Sequence, residues 1–312
     1  MTEKLPPVHA GLDIAKASLQ LHFQNRQQAL SNASEGHARL IQLLRAVPGT
    51  HIICEATGGY ERPVVAALQA AGIPVTVVNP ARVRHFALAE GGRAKNDPLD
   101  AAVLTAYGRS FQPAPTPIPE PALAELRALV QWRDQLKEHR VRARQHAEHT
   151  LLRFALCQQK KLVAHLDKQI AAVEKELTQV LARAPRCQEQ VQQLAELDGI
   201  GTLTAISVLS QMPELGQLNR QAAAALAGLA PWTRQSGPWE GQRHIGGGRA
   251  VIRRALYMSA VAISRQTTSV LGKFYQRLRQ AGKPAKVALT ALMRKLLLQM
   301  NQTLKNYALK HP

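Results

Sequence analysis

Five of the nine residues from Pro113 to Pro121 (PAPTPIPEP) are proline, and residues 122–184, which follow, contain neither proline nor glycine. Proline fixes φ and lacks an amide donor, so the first stretch can continue neither a helix nor an internal strand. The second stretch, rich in Leu, Ala, Gln, Arg and Glu, contains no helix breaker. Leu162, Leu166, Ile170, Val173, Leu177 and Val180 fall on one helical stripe within it. Long helices are expected there, arranged as a coiled-coil hairpin, packed within the chain or against a second copy. The chain of 312 residues thus divides into residues 1–115, a helical connection over 116–190, and residues 191–312.

The first part has the alternating pattern of an α/β domain. VHAGLDIA and ASLQLHF read as two strands, with a third possible, and EGHARLIQLLRAV has helical spacing. HIICEA is a short apolar strand, RPVVAALQAAG a helix closed by Gly72, and IPVTVVNP a further strand. A mixed sheet flanked by helices is predicted, with mainly helical sequence in the last part.

Charge is distributed unevenly. Residues 1–115 hold 11 basic and 8 acidic side chains, residues 116–190 hold 13 and 9, and residues 191–312 hold 16 and 4. After Glu240 there are 14 lysines and arginines and no carboxylate. Solvated surfaces normally mix the two signs, so this bias points to a polyanionic partner, nucleic acid above an anionic membrane. No apolar run is long enough to span a bilayer, and MTEKLPPVHAGLDIAK has no signal-peptide core, so a cytoplasmic protein is expected. Cys54, Cys157 and Cys187 are too scattered for a disulfide framework or a zinc site and read as inert thiols.

Asp13 and Glu55 each follow an apolar strand. If those strands are neighbours, both carboxylates emerge at one end of the sheet, where sites in α/β folds form. Asp97 and Asp100 in KNDPLDA are three apart, on one face of a helix. Four converging carboxylates need cations, and oxygen-only ligands favour Mg2+ or Mn2+, ions suited to phosphodiester chemistry. Plainer readings exist: Asp97 before Pro98 makes a helix N-cap, Asp100 suits the helix dipole, and Asp13 can simply open a turn. Glu55 is harder to dismiss, because a strand-end acid beside apolar residues needs a partner.

In the last part, LAELDGIGTLTAISVLSQM places Gly199 and Gly201 in a turn between two helices. It is either a helix–hairpin–helix whose amides grip a nucleic-acid backbone or an ordinary connection. Further on, WTRQSGPWEGQRHIGGGRAVIRRALY surrounds Ser236 with arginine and glycine. Ser236 is a turn residue or a nucleophile. Arg234, Arg243 and Arg249 have the forked donors a phosphate needs, His244, Arg253 and Arg254 lie beside them, and Gly246 to Gly248 let a backbone come close.

Taken in order, GLDIAK, CEATGGYERP, KNDPLDA and LAGLAPWTRQSGPWEGQRHIGGGRAVIRRALYMSA resemble an insertion-sequence transposase family, the one numbered one hundred and ten, described as bridge-RNA-guided recombinases. The resemblance spans almost the whole chain. It implies an RNase H-like (RuvC-like) N-terminal domain joined by a coiled coil to a transposase domain, with Asp13, Glu55, Asp97 and Asp100 binding Mg2+. It also implies Ser236 as the nucleophile that forms a phosphoserine link to DNA, and a homo-oligomer, dimer to tetramer, whose active sites draw on different protomers. Donor and target DNA and a structured bridge RNA are the implied partners. Where the family has a longer, more charged connection, this chain reads HIGGGRAV. Two other readings fit parts of the sequence: a Holliday-junction resolvase-like nuclease using water, and a non-catalytic nucleic-acid-binding protein.

Overall fold

A computed structural model describes residues 8–91, 97–118, 120–233, 235–236, 239–240 and 243–311, the side chains of residues 97–99, 235, 236, 239 and 240 lying outside that description. Contacts divide the chain into two compact units, Met1–Ile118 and Pro119–Pro312, so the boundary falls inside the proline-rich stretch and the helices that follow it pack with the second unit.

The first unit holds β1 (Val8–Ile14), β2 (Ser18–Phe23), β3 (Arg26–Ser31), α1 (Ser34–Arg45), β4 (Thr50–Glu55), α2 (Glu61–Ala70), β5 (Val75–Val78), α3 (Pro80–Ala89) and α4 (Asp97–Phe111). The sheet order is β3-β2-β1-β4-β5. The first three strands form an antiparallel meander, while β1 pairs β4 and β4 pairs β5 in parallel, giving the expected mixed RNase H-like sheet. The β2–β3 turn is two residues long, with Gln24 and Asn25 both at positive φ, the conformation whose twist matches the flanking strands.

Strand alternation assigns the two faces. Ala10, Leu12, Ile14, Ile52 and Cys54 pack with Leu40, Leu44, Val64 and Leu68 under α1 and α2. On the other face, Ile53 and Val78 pack with Val83, Leu104 and Tyr107 of α3 and α4. Gly11 is required here, because a Cβ on it would lie 2.0 Å from the Ala101 carbonyl oxygen. Its amide donates to the Thr105 hydroxyl at 2.8 Å, so α4 lies directly against β1.

Two histidines are buried under that helix. The rings of His9 and His51 are 5.4 Å apart, and His51 Nε2 is 2.8 Å from the Thr76 hydroxyl. Burial, and then the neighbouring His9, pushes His51 down to about 4; burial and then Arg109 lower His9. The folded state keeps His51 neutral, whereas the unfolded chain protonates it near pH 6.5. This contribution is therefore complete above about pH 6.5 and is lost as pH falls towards 4. For His51 the drop from 6.5 to about 4 corresponds to about 3 kcal/mol. Urea midpoints measured from pH 8 to pH 4 are expected to show this loss in the N-terminal unit, and His51→Gln to flatten it.

The second unit is built on a helical hairpin of α5 (Pro121–Glu148) and α6 (Arg153–Ala182). The hairpin closes within the chain: Leu136 and Ala143 meet Leu166, Ile170 and Val173, and Arg133–Glu174 (2.6 Å) and Arg140–Asp167 (2.7 Å) pair across it. Of the expected stripe, Leu162 stays exposed towards the tip. Leu126, Val130, Leu177 and Val180, at the other end, join the core formed by α7 (Pro185–Ala195), α8 (Thr202–Gln211), α9 (Arg220–Leu226), α10 (Ala250–Ser264), α11 (Val270–Gln280) and α12 (Ala285–Lys310). Between α9 and α10 lie four two-residue strands: β6 (Pro231–Trp232), β7 (Gln235–Ser236), β8 (Trp239–Glu240) and β9 (His244–Ile245). No helix among the described residues is long and apolar enough to cross a membrane. Cys54 and Cys187 are buried thiols that burial pushes up to about 12, as inert cysteines should be.

Candidate active site

Asp13 and Glu55 stand side by side. The parallel register of β1 and β4 runs Ala10↔Ile52, Gly11↔Ile53, Leu12↔Cys54, and its next step sets Asp13 against Glu55. By alternation Asp13 shares the face of Gly11, and Glu55 that of Ile53, which is the face covered by α4. Both carboxylates are half-buried. The helix runs back along β1: Gly108 lies over His9, and Ala101 and Thr105 lie over Gly11. One turn of helix (~5.4 Å) and two residues of strand (~6.6 Å) cover similar distances. The first turn of α4, with Asp97 and half-buried Asp100, therefore lies level with Asp13 at the carboxyl end of the sheet. The Asp97 side chain lies outside the described residues, and among those described no three His, Cys, Asp or Glu side chains gather as a metal-holding group. Asp13, Glu55, Asp97 and Asp100 would offer carboxylate oxygens, a set that fits a hard cation such as Mg2+ or Mn2+.

Two residues that the sequence reading passed over shape the loops at this end. Asn32 donates from its side-chain amide to the carbonyls of Ala15 (2.9 Å) and Tyr60 (3.2 Å), joining the turn after β1 to the loop after β4. Its oxygen meets His37 Nε2 at 2.8 Å. Glu61 accepts from the Thr57 hydroxyl (2.8 Å) and from the amides of Gly59 (2.8 Å) and Thr57 (3.1 Å). Burial opposes its charge, but these bonds outweigh it and hold the carboxyl below its ordinary range. The sequence does signal this loop: TGGYE has glycines, both at positive φ, followed by an acid at the start of α2. Asn32 carries no such mark, since an asparagine between a strand and a helix reads as a turn residue.

In the second unit Ser236 belongs to a narrow ribbon. β6 pairs antiparallel with β9 and β7 with β8, Ser236 opposite Trp239, so the serine lies at the far end of two successive pairs. The side chain of Ser236 and all of Arg234 lie outside the described residues. Trp232, Arg243 and His244 are exposed along the ribbon, and Trp232 Nε1 donates to the Gly246 carbonyl at 3.3 Å.

The ribbon is rooted by groups that the sequence offers to a phosphate. Arg249 places both terminal nitrogens on Glu214, each at 2.7 Å, and a further bond on the Gln211 carbonyl. Burial disfavours the Glu214 charge, and the bond from Arg249 outweighs that and lowers the carboxyl. The Arg249 fork is thus filled by a carboxylate. Arg253 donates to the carbonyls of Ala227 and Gly247. The close approach at Gly248 is to the chain itself: a Cβ there would meet Gly228 N at 2.3 Å, and φ is positive at both glycines. Arg254 lines a cavity of about 290 Å3 with Arg133, Asp134 and Lys137, whose ammonium burial lowers. At the turn between α7 and α8, Gly199 is at positive φ, and a Cβ on it would meet Ile263 at 2.4 Å; Gly201 is exposed and opens α8. Two helices joined through a hairpin are present, one glycine serving the core and the other facing out.

Known proteins match both units. Residues 10–156 match a profile described as Transposase, of the DEDD type named for IS110, and residues 191–276 match one described as Transposase IS116/IS110/IS902 family. A protein called pilin gene-inverting protein from Moraxella bovis is 29% identical over 303 residues, covering 93% of each chain. The protein of the same name from Moraxella lacunata is similar to the same extent.

Proposed function

We infer that this chain, which carries both transposase domains of the IS110 family in order and is a DNA transposase or recombinase, breaks and rejoins DNA through a covalent bond between Ser236 and a DNA phosphate. The observation that supports the reading best is the pairing of Asp13 with Glu55 on the α4 face, level with the first turn that carries Asp97 and Asp100. These four carboxylates would hold Mg2+, which when bound supplies electrostatic stabilisation of the pentacoordinate phosphate and lowers the pKa of a coordinated hydroxyl. Ser236 Oγ attacks phosphorus, its proton passes to a base, and the P–O bond to the leaving strand breaks, releasing a DNA hydroxyl. A DNA hydroxyl from the exchanging strand then attacks the phosphoserine and returns the serine. The phosphodiester energy is kept throughout, so no external energy source is needed. Arg243 and His244, exposed beside the ribbon, would steady neighbouring phosphates in this reading.

In our reading the active complex is an oligomer whose active sites draw on different protomers. A structured RNA pairing with donor and target DNA would choose the sites, leaving the protein to hold backbones. The relatives' name, gene-inverting, supports rearrangement of DNA segments as the outcome. The test mixes the full chain with Mg2+, RNA transcribed from the non-coding end of its element, and labelled donor and target DNA. A denaturing gel should show label at the mass of protein plus DNA. Cut DNA without that adduct would mean that water is the nucleophile, as in a resolvase.

Asn32 gives a separate check on the acidic site. Removing its two donated bonds lets the loops beside Asp13 and Glu55 drift apart, at a cost of about 1–2 kcal/mol in site geometry. Asn32→Ala is expected to raise the Mg2+ concentration for half-maximal cleavage about tenfold while DNA binding stays unchanged. Asn32→Asp, which cannot donate to the two carbonyls, should fail in the same way.

A further inference from the structure

We propose that the elbow between α11 and α12 is a docking surface for the backbone of duplex DNA, apart from the serine and the carboxylates. Lys273, Arg277, Arg279, Lys283 and Lys286 lie within fourteen residues of sequence, and all five are exposed. None of the five takes part in an ion pair among the described residues. The helices packed around the elbow, α10, α11 and α12, contain no carboxylate at all. Two exposed arginines elsewhere in this unit do face carboxylates: Arg144 faces Asp167, and Arg183 faces Glu125 and Glu176. Like charges gathered on one elbow, with no carboxylate on its helices, repel one another, and a polyanion relieves that repulsion.

The surface is also held in shape. Ser269 caps α11 through the Gly272 amide, Arg279 donates to the Lys283 carbonyl across the turn, and Phe274 lies between Arg277 and Lys295 (5.5 and 4.0 Å). That same ring placement bears on the partner. Single strands are gripped by stacking bases on open aromatic rings, and between Lys273 and Val287 the aromatic residues, Phe274 and Tyr275, are both half-buried in the core. Cations without a stacking platform suit the phosphates of a duplex. Arg279, Lys283 and Lys286 lie beyond residues 191–276, the part that matches the transposase profile.

The inference rests on the proposed DNA recombination and is tested apart from it by salt dependence. Each phosphate contact contributes about −0.9 to the slope of log K against log salt on duplex DNA. The variant Lys273→Gln, Arg279→Gln, Lys283→Gln and Lys286→Gln in the full chain should therefore flatten the slope by roughly 3.5 and weaken duplex binding by about 10³-fold near 0.1 M salt. The equal-charge variant Arg142→Gln, Arg153→Gln, Lys160→Gln and Lys161→Gln, on the exposed hairpin, should leave the slope close to that of the parent. Equal flattening in both variants, or none in the first, overturns the proposal. So does a loss confined to structured RNA, or to vesicles of phosphatidylserine, with duplex DNA unaffected. At saturating protein the first variant still forms the Ser236 adduct, and this readout separates failure of the elbow from failure of the serine chemistry.

Discussion

Ser236→Ala is expected to bind DNA like the parent protein and to form no protein-linked DNA. The substitution removes one oxygen from a residue at the end of a ribbon whose pairing is all backbone, Ser236 opposite Trp239, and whose root is fixed elsewhere by Arg249 and Arg253. Folding and phosphate contacts should therefore survive, while the oxygen proposed to make the covalent bond is gone. Loss of a nucleophile in covalent catalysis lowers turnover by roughly 10³–10⁶, so strand exchange should fall below detection. Ser236→Cys keeps an attacking atom and should leave a trace of adduct that is stable to denaturation. Undiminished cutting by Ser236→Ala would move the nucleophile to water and leave the four acids as a self-sufficient nuclease site.

The parts of this protein that can be read in its sequence are those governed by periodicity. Alternation in VHAGLDIA and HIICEA gives the strands and marks Asp13 and Glu55 as strand-end acids, and the register then sets them side by side. The stripe from Leu166 to Val180 gives a helix face, and its partner face is found on α5. The ribbon around Ser236 is different. Its strands are two residues long, too short for any pattern, so a hairpin and an irregular loop look alike in sequence. Arg249 and Arg253 show the same limit in another form. An arginine near glycines suits a phosphate, but it suits a carboxylate or a carbonyl as well, and Glu214 lies 35 residues away in sequence. Asn32 is invisible for a related reason, since its value comes from where the Ala15 and Tyr60 carbonyls meet in space.

Asp13→Asn and Glu55→Gln are expected to abolish strand cleavage and the response of the protein to Mg2+. Each replacement keeps the shape of the side chain and deletes one charge from a pair on adjacent parallel strands, ~4.8 Å apart. Like-charged carboxylates on neighbouring strands disfavour one another, and a bound cation would offset that. The charge is nevertheless what Mg2+ would bind in the proposed site, and without it cleavage should fall by roughly 10³ or more. Mg2+ should raise the melting temperature of the parent chain and leave that of Asp13→Asn unmoved, because an ion that binds only the folded state stabilises it by mass action. A residue that merely closes a turn gives the opposite pattern, with lower stability, cleavage intact and the same response to Mg2+. Cleavage and the Mg2+ response lost together are therefore the signature of a pair retained for its chemistry.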